Sequence, residues 1–290
     1  WRFQALDSAP ELPQAPNWLV GLWRRESIEM RDGTLDRTTR VFWGQTRNLF
    51  VDIRIPSDRP APPGGRGFED FTLEELGQIA EQHAFAGHVA VDGDRCTWHR
   101  CIDYQPNTGR PDTGRLRLEG DILHEQGDAE SVIGMDYHEV YRREIGGEER
   151  RLALRLDGCE GAPFGERPAS DAILVVLDDR FMFARTRPCD LGPADTLHEL
   201  VQRADGDRAS IESCLDCEVS IGRLGKDDRA WRIELSTLPW REGERLFPRG
   251  QAGFEPGSNL LCLDTPAGRA HWRIFDTSLR GNAVCEPFNA

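Results

Sequence analysis

Two glutamates and a histidine carry the acid-base chemistry this sequence could perform. Glu125 lies in Ile122-Leu123-His124-Glu125-Gln126 and Glu139 in Tyr137-His138-Glu139-Val140-Tyr141. His99 follows Trp98 in Cys96-Thr97-Trp98-His99-Arg100-Cys101-Ile102-Asp103. Two carboxyl groups on adjacent strands can divide the roles of acid and base, and an imidazole titrates near neutrality without assistance. Tyr137 and Tyr141 alternate with Glu139 and share its face of a strand, which is either an ordinary aromatic girdle or the polar lumen of a barrel. His99 and Asp103 are also expected on one face. About 13 Å of strand would separate them, too far for contact, so a structural histidine is the simpler reading.

A second set of residues could hold a ligand. In Leu49–Ile55 the aliphatic side chains Leu49, Val51, Ile53 and Ile55 occupy one face, and Phe50, Asp52 and Arg54 the other. Asp52 and Arg54 are either a solvated pair opposite a core face or a polar pair inside a hollow barrel, with Arg54 oriented to take a carboxylate. Trp43, Trp98, Tyr137 and Tyr141 complete this candidate ligand-binding set.

Other chemistries find little support. Cys214-x-x-Cys217 has no second pair or histidine at zinc spacing, and on a strand its members would face opposite ways. His83 and His88 lack a third ligand, so no metal is expected. No glycine-rich phosphate loop, nucleophile elbow or Ser-His-Asp order is present, and no cofactor is expected. Lys226 is the sole lysine and lies in a turn-like Gly-Lys-Asp-Asp string, which argues against Schiff-base chemistry.

The elements that would position these residues are written twice. In one copy, Val41-Phe42-Trp43 and Leu49–Ile55 are followed by Pro56, Arg59-Pro60 and a helix opening Thr72-Leu73-Glu74-Glu75-Leu76. In the other, Ile173–Leu177 and Phe181–Arg185 are followed by Arg187-Pro188 and Thr196-Leu197-His198-Glu199-Leu200. Phe50 and Phe181, Thr72 and Thr196, and Trp98 and Trp231 are separated by nearly half the chain, which indicates duplication of one β-rich unit. Thr72 with Glu75 forms a capping-box signature. Short strands at regular spacing with Asp92-Gly93 and Glu119-Gly120 turns read as a closed antiparallel barrel. The second copy adds strands over Glu212–Gly222 and Ala230–Leu238. The expected organisation is an extended arm over 1–17 and two tandem lipocalin-like β-barrels over 18–146 and 147–290, each with a short helix.

Composition limits the partners. The 290 residues carry a formal charge of -14 with no basic stripe, which argues against nucleic acid. No apolar run is long enough to span a membrane. Eight cysteines without a regular framework read as free thiols in a reducing cytoplasm.

The strings Cys96–Asp103, Asp112-Thr113-Gly114, Gly120–Gly127 and Tyr137–Arg143 resemble the Hri-type proteins of fungi and their bacterial relatives. That resemblance implies a pair of lipocalin-like barrels and carries no settled activity. The chain departs from the pattern where Arg100 stands two places after Trp98 and where Tyr141 closes the Tyr-x-Glu-x-aromatic string. Three functional expectations follow. The first is a tandem barrel binding a small, mainly apolar or amphipathic molecule. The second is a cofactor-independent cyclase, isomerase or lyase acting through Glu125, Glu139 or His99. The third is an interaction scaffold with filled barrels. Oligomeric state is not encoded in any of these features.

Overall fold

In the computed structural model, residues 12–61, 66–127, 130–131, 134–161, 170–225, 230–247, 251–254, 260–266 and 268–289 are described. The expected arm over 1–17 and the Lys226 turn therefore lie partly or wholly outside the described residues.

The first half is a closed barrel. Its strands are β1 (Gly21–Met30), β2 (Leu35–Asp36), β3 (Arg40–Gln45), β4 (Phe50–Ile55), β5 (His83–Asp92), β6 (Arg95–Asp103), β7 (Asp112–Glu119), β8 (Ile122–Gly127) and β9 (Tyr137–Ile145). Each pairs antiparallel with its neighbour, and β1 pairs with β9 to close the ring, while the short β2 extends the edge of β1 beyond β3. Closure removes the unpaired edges that an open sheet would present. One end is sealed by Ala15, Leu19, Trp23 and Phe50, which belong to one buried cluster with Trp43, Trp98 and Tyr141.

The second half is an eight-stranded antiparallel sheet of β10 (Arg151–Gly161), β11 (Ala172–Leu177), β12 (Arg180–Arg185), β13 (Val219–Arg223), β14 (Arg232–Ser236), β15 (Gln251–Phe254), β16 (Leu260–Thr265) and β17 (Gly268–Thr277). Its order is β14-β13-β12-β11-β10-β17-β16-β15. Among the described residues no ladder joins β14 to β15. The sheet wraps an interior filled by Phe181, Phe183, Trp231, Phe247, Trp272 and Phe288. Trp231 Nε1 donates to Pro287 O at 2.6 Å, so the C-terminal turns plug this interior.

Three helices bind the halves together: α1 (Leu73–Ile79), α2 (Leu197–Arg203) and α3 (Arg208–Leu215). Thr72 and Glu75 form the full capping box of α1, and Thr196 caps α2 by accepting from Glu199 N–H. The stretch expected as a strand over Glu212–Gly222 is divided: Glu212–Leu215 completes α3, and β13 begins at Val219. Ile211 and Leu215 on one helical stripe bury against the junction, and this packing outweighs the strand reading.

The aliphatic face of β4 is core, but it faces the other half of the molecule. Val51, Ile53 and Ile55 pack in one cluster with Val175, Met182 and Ile221 of the second sheet. Gly44 permits this close approach, since a Cβ there would meet Met182 Sδ at 2.7 Å. The opposite face of β4 looks into the barrel. Among the described residues no helix is long and apolar enough to cross a membrane.

Candidate functional site

The alternation of β4 sends Asp52 and Arg54 into the lumen, where Arg54 becomes the hub of a buried ion network. Its Nε donates to Asp52 Oδ1 at 2.8 Å, one terminal nitrogen donates to Glu139 Oε1 at 3.1 Å, and the other reaches Tyr141 Oη at 3.3 Å. Arg25 of β1 donates to the same Glu139 oxygen at 2.6 Å and to Asp36 at 2.8 Å. Tyr141 Oη donates to Glu139 Oε2 at 2.6 Å. Both Glu139 oxygens are thus occupied, and its side chain is fully buried. Burial alone would raise its pKa, but Arg54 and Arg25 overcome that and hold it below the usual range. Asp52 shares a single guanidinium, and there burial prevails and pushes the carboxyl up.

Glu125 stands directly opposite Glu139 across β8 and β9, in a different environment. It is 3% exposed, and its hydrogen bond comes from Tyr137 Oη at 2.8 Å. Burial, followed by the charge of Glu139, pushes its pKa well above the ordinary glutamate value and favours the protonated form. Tyr137 reaches it because residue 127 is glycine: a Cβ there would collide with the Tyr137 ring.

A third arginine, Arg100 of β6, donates to Asp112 Oδ2 at 2.6 Å and to Asp103 at 3.1 Å, with its guanidinium 3.7 Å from the centre of the Phe85 ring. Its contact with Asp103 depends on a β-bulge. Arg100 pairs with Gly87, but Ile102 pairs with Ala86 and Asp103 with Phe85, so Cys101 is the extra residue. The bulge reverses the alternation. Asp103 turns inward to Arg100, Ile102 joins the apolar junction, and His99 and Asp103 do not share a face as strict alternation had them.

These groups enclose a cavity of about 850 Å³. Arg25, Arg54, Phe85, Trp98, Glu125 and Tyr137 line it, and the segment 105–112 with Asp195 and Thr196 at the start of α2 forms its mouth. His83 is exposed at the mouth end. Partial desolvation beside the barrel wall and then the nearby Arg54, Arg100 and Arg25 push its imidazole down to about 4, all in the same direction.

The expected site residues therefore separate into layers. Trp98, Arg54, Tyr137 and Glu125 line the cavity. Trp43, Asp52, Tyr141 and Glu139 stand behind them, with Trp43 5.6 Å from Trp98 and 6.0 Å from Tyr141 between ring centres. His99 borders the cavity, but its ring stacks on His88 at 4.7 Å, on the outer face. Arg25, Arg100, Asp112 and His83 were not nominated from the sequence. For Arg25 the signal was its alternation with the inward Trp23. For Arg100 and Asp112 it was a complementary pair on the two facing strands of one hairpin, close to its loop.

Among the described residues, aromatic side chains fill the interior of the second sheet where the barrel has its ion network. The β12 residues Phe181, Phe183 and Arg185 correspond to Phe50, Asp52 and Arg54, and Phe183 fills the space where Asp52 stands. Arg185 retains an ion pair with Asp216 at 2.6 Å. Cys214 ends α3 rather than lying on a strand, and among the described residues no group of three metal-ligating side chains occurs. Trp240 packs on Phe68 at 4.5 Å and Phe71 at 6.0 Å, closing the junction between the halves.

Fold and site together define a mainly β protein with one closed eight-stranded barrel around a polar and aromatic lumen, joined to a second sheet whose interior is filled. No protein-family model matches the sequence, and no match is found among curated proteins. Among solved structures, the chain is similar to a lipocalin-like protein from Bacteroides uniformis, with 15% identity and a TM-score of 0.28, covering 43% of this chain and 97% of that one. It is also similar to an uncharacterized protein from Bacteroides eggerthii, with 11% identity and a TM-score of 0.27, covering 43% and 98% respectively.

Proposed function

We propose that the first barrel binds a small amphipathic molecule in its lumen, and that the second half serves as a filled support. The observation that carries this reading is the cavity of about 850 Å³, which runs from the mouth at 105–112 to Glu125 and Tyr137. Its size suits a small organic ligand, and its wall combines aromatic faces with a few placed polar groups. The mainly apolar ligand expected from the sequence fits this wall less well than an amphipathic one, because Arg25, Arg54, Arg100 and Glu125 contribute to it. The resemblance to Hri-type proteins is compatible with this reading and assigns no ligand. Native mass spectrometry of the gently purified chain tests it: a bound small molecule supports it, and its absence combined with no uptake of added amphipathic compounds removes it.

One observation favours a second reading, a cofactor-independent isomerase or lyase. Facing carboxyl groups whose environments push one up and the other down are the arrangement that supplies an acid and a base at one pH. In that reading Glu125 donates a proton to one atom of the substrate and, as the carboxylate so formed, takes a proton from another, which restores the acid. Glu139, with both oxygens occupied, orients Arg25, Arg54 and Tyr141 around it. Loss of turnover with retained binding in a Glu125→Gln variant would support it.

A further inference from the structure

We propose that the ligand of the first barrel is an organic ammonium, a protonated amine on an apolar body, and that Glu125 is its counter-ion. This rests on the lumen being a binding site. Asp52 lies 2.8 Å from Arg54, Glu139 2.6 Å from Arg25, Asp112 2.6 Å from Arg100 and Asp103 3.1 Å from Arg100. Glu125 is as deeply buried as these, yet its side chain is bonded to Tyr137 Oη and to no cation among the described residues. A buried carboxyl group without a cation is costly in its charged form, and a bound cation relieves that cost.

The charges already present favour a positive ligand over a negative one. Arg25, Arg54 and Arg100 are each engaged with two carboxylates. A ligand carboxylate beside these three would compete with partners already in place, and the remaining lining arginine, Arg110, belongs to the mouth segment. The groups that act on Glu125 are Glu139 and Tyr137 from β9, Asp112 from β7, Arg54 from β4 and Cys96 from β6. Counted whole, the network sets three guanidiniums, Arg25, Arg54 and Arg100, against five carboxyl groups, Asp36, Asp52, Asp103, Asp112 and Glu139, before Glu125 is added. Aromatic faces complete it: a Cβ built at Gly114 would lie 3.3 Å from the Glu125 side chain and 3.4 Å from the Trp98 ring, so these two groups stand side by side. Tyr137 is on the other flank. An ammonium between a carboxylate and aromatic faces gains from both.

Binding then has a proton balance. The Glu125 carboxyl, pushed towards its protonated form by burial, gives up that proton to solvent as the ammonium arrives, and the bound state is a carboxylate paired with the intact ammonium. Affinity for the amine rises with pH until the amine itself loses its proton.

The test uses the full chain with three probes of similar shape, phenethylamine, phenethyl alcohol and hydrocinnamate, titrated calorimetrically in buffers of differing ionisation heat. The amine is expected to bind about tenfold more tightly than either of the others, as befits a buried charge pair, and to release up to one proton per molecule bound. Glu125→Gln, isosteric with the neutral acid, should abolish the amine preference and the proton release, with circular dichroism reporting the fold. Equal or tighter binding of the alcohol or the acid overturns the proposal while upholding the lumen as a site, as does amine binding without proton release or a preference that survives in the variant. If none of the probes binds the wild type, the lumen reading fails, and this proposal fails with it.

Discussion

Glu125 and Glu139 face each other across β8 and β9, and only Glu139 has guanidinium partners. Identical side chains at paired positions are thereby driven in opposite directions: Arg54 and Arg25 lower the pKa of Glu139, and burial raises that of Glu125.

The raised pKa of Glu125 imposes a pH dependence with a definite sign. The folded pKa of Glu125 lies above its unfolded value, so the folded state holds a proton that the unfolded chain releases. The stability it contributes is fully present below the unfolded pKa and is lost as pH rises towards the folded one. Glu125→Gln removes that slope. The melting temperature of the variant relative to wild type is expected to rise as the pH is raised above the ordinary glutamate pKa. A flat difference would show that Glu125 is ionised in the folded protein.

Glu139 has the opposite sign. Its lowered pKa contributes stability present above the unfolded pKa and lost as pH falls through the folded one. Glu139→Gln leaves Arg25 and Arg54 short of a buried partner and is expected to cost about 3–5 kcal/mol at neutral pH. Urea unfolding at pH 7 measures the cost, and the gap to wild type should narrow in acid.

His83 should titrate with a midpoint of about 4. The neutral folded imidazole means that stability is lost on acidification from its ordinary pKa near 6.5 down to about 4. Proton NMR of the imidazole resonances gives the midpoint directly, and His83→Asn should flatten stability across that interval.

Ile53 tests the junction. It is fully buried among side chains from both halves, and Ile53→Ala is expected to cost about 2–5 kcal/mol. Because the contact joins two sheets, the halves should begin to unfold separately, seen as a broadened or split calorimetric transition.

Gly127→Ala tests how Glu125 is supported. The added methyl group displaces the Tyr137 ring and breaks the bond to Glu125, at an expected cost of about 1–3 kcal/mol. Thermal melts of the variant and of Tyr137→Phe should fall on the same side of wild type.

What the sequence made legible was local. Thr72 and Glu75 carry their capping box within four residues, and the alternation of Leu49–Ile55 places Asp52 and Arg54 opposite the aliphatic face. Which face was the lumen depended on the second sheet covering Val51, Ile53 and Ile55, a contact between distant segments. Asp103 was misplaced because one extra residue, Cys101, reverses the alternation, and nothing in its side-chain pattern announces a bulge. Arg25 escaped notice because its partner Glu139 lies over a hundred residues away in sequence and meets it only when β1 pairs with β9.

The most direct measurement of the central claim is saturation of the intrinsic tryptophan emission by amphipathic probes, since Trp98 lines the cavity and Trp43 packs against Trp98. Wild type should show a saturable change for at least one of phenethylamine, phenethyl alcohol and hydrocinnamate. A folded Gly114→Leu variant, whose side chain would occupy the space beside Glu125 and Trp98, should show none. An unsaturable response in wild type, or an equal response in the filled variant, would contradict a ligand site in the barrel.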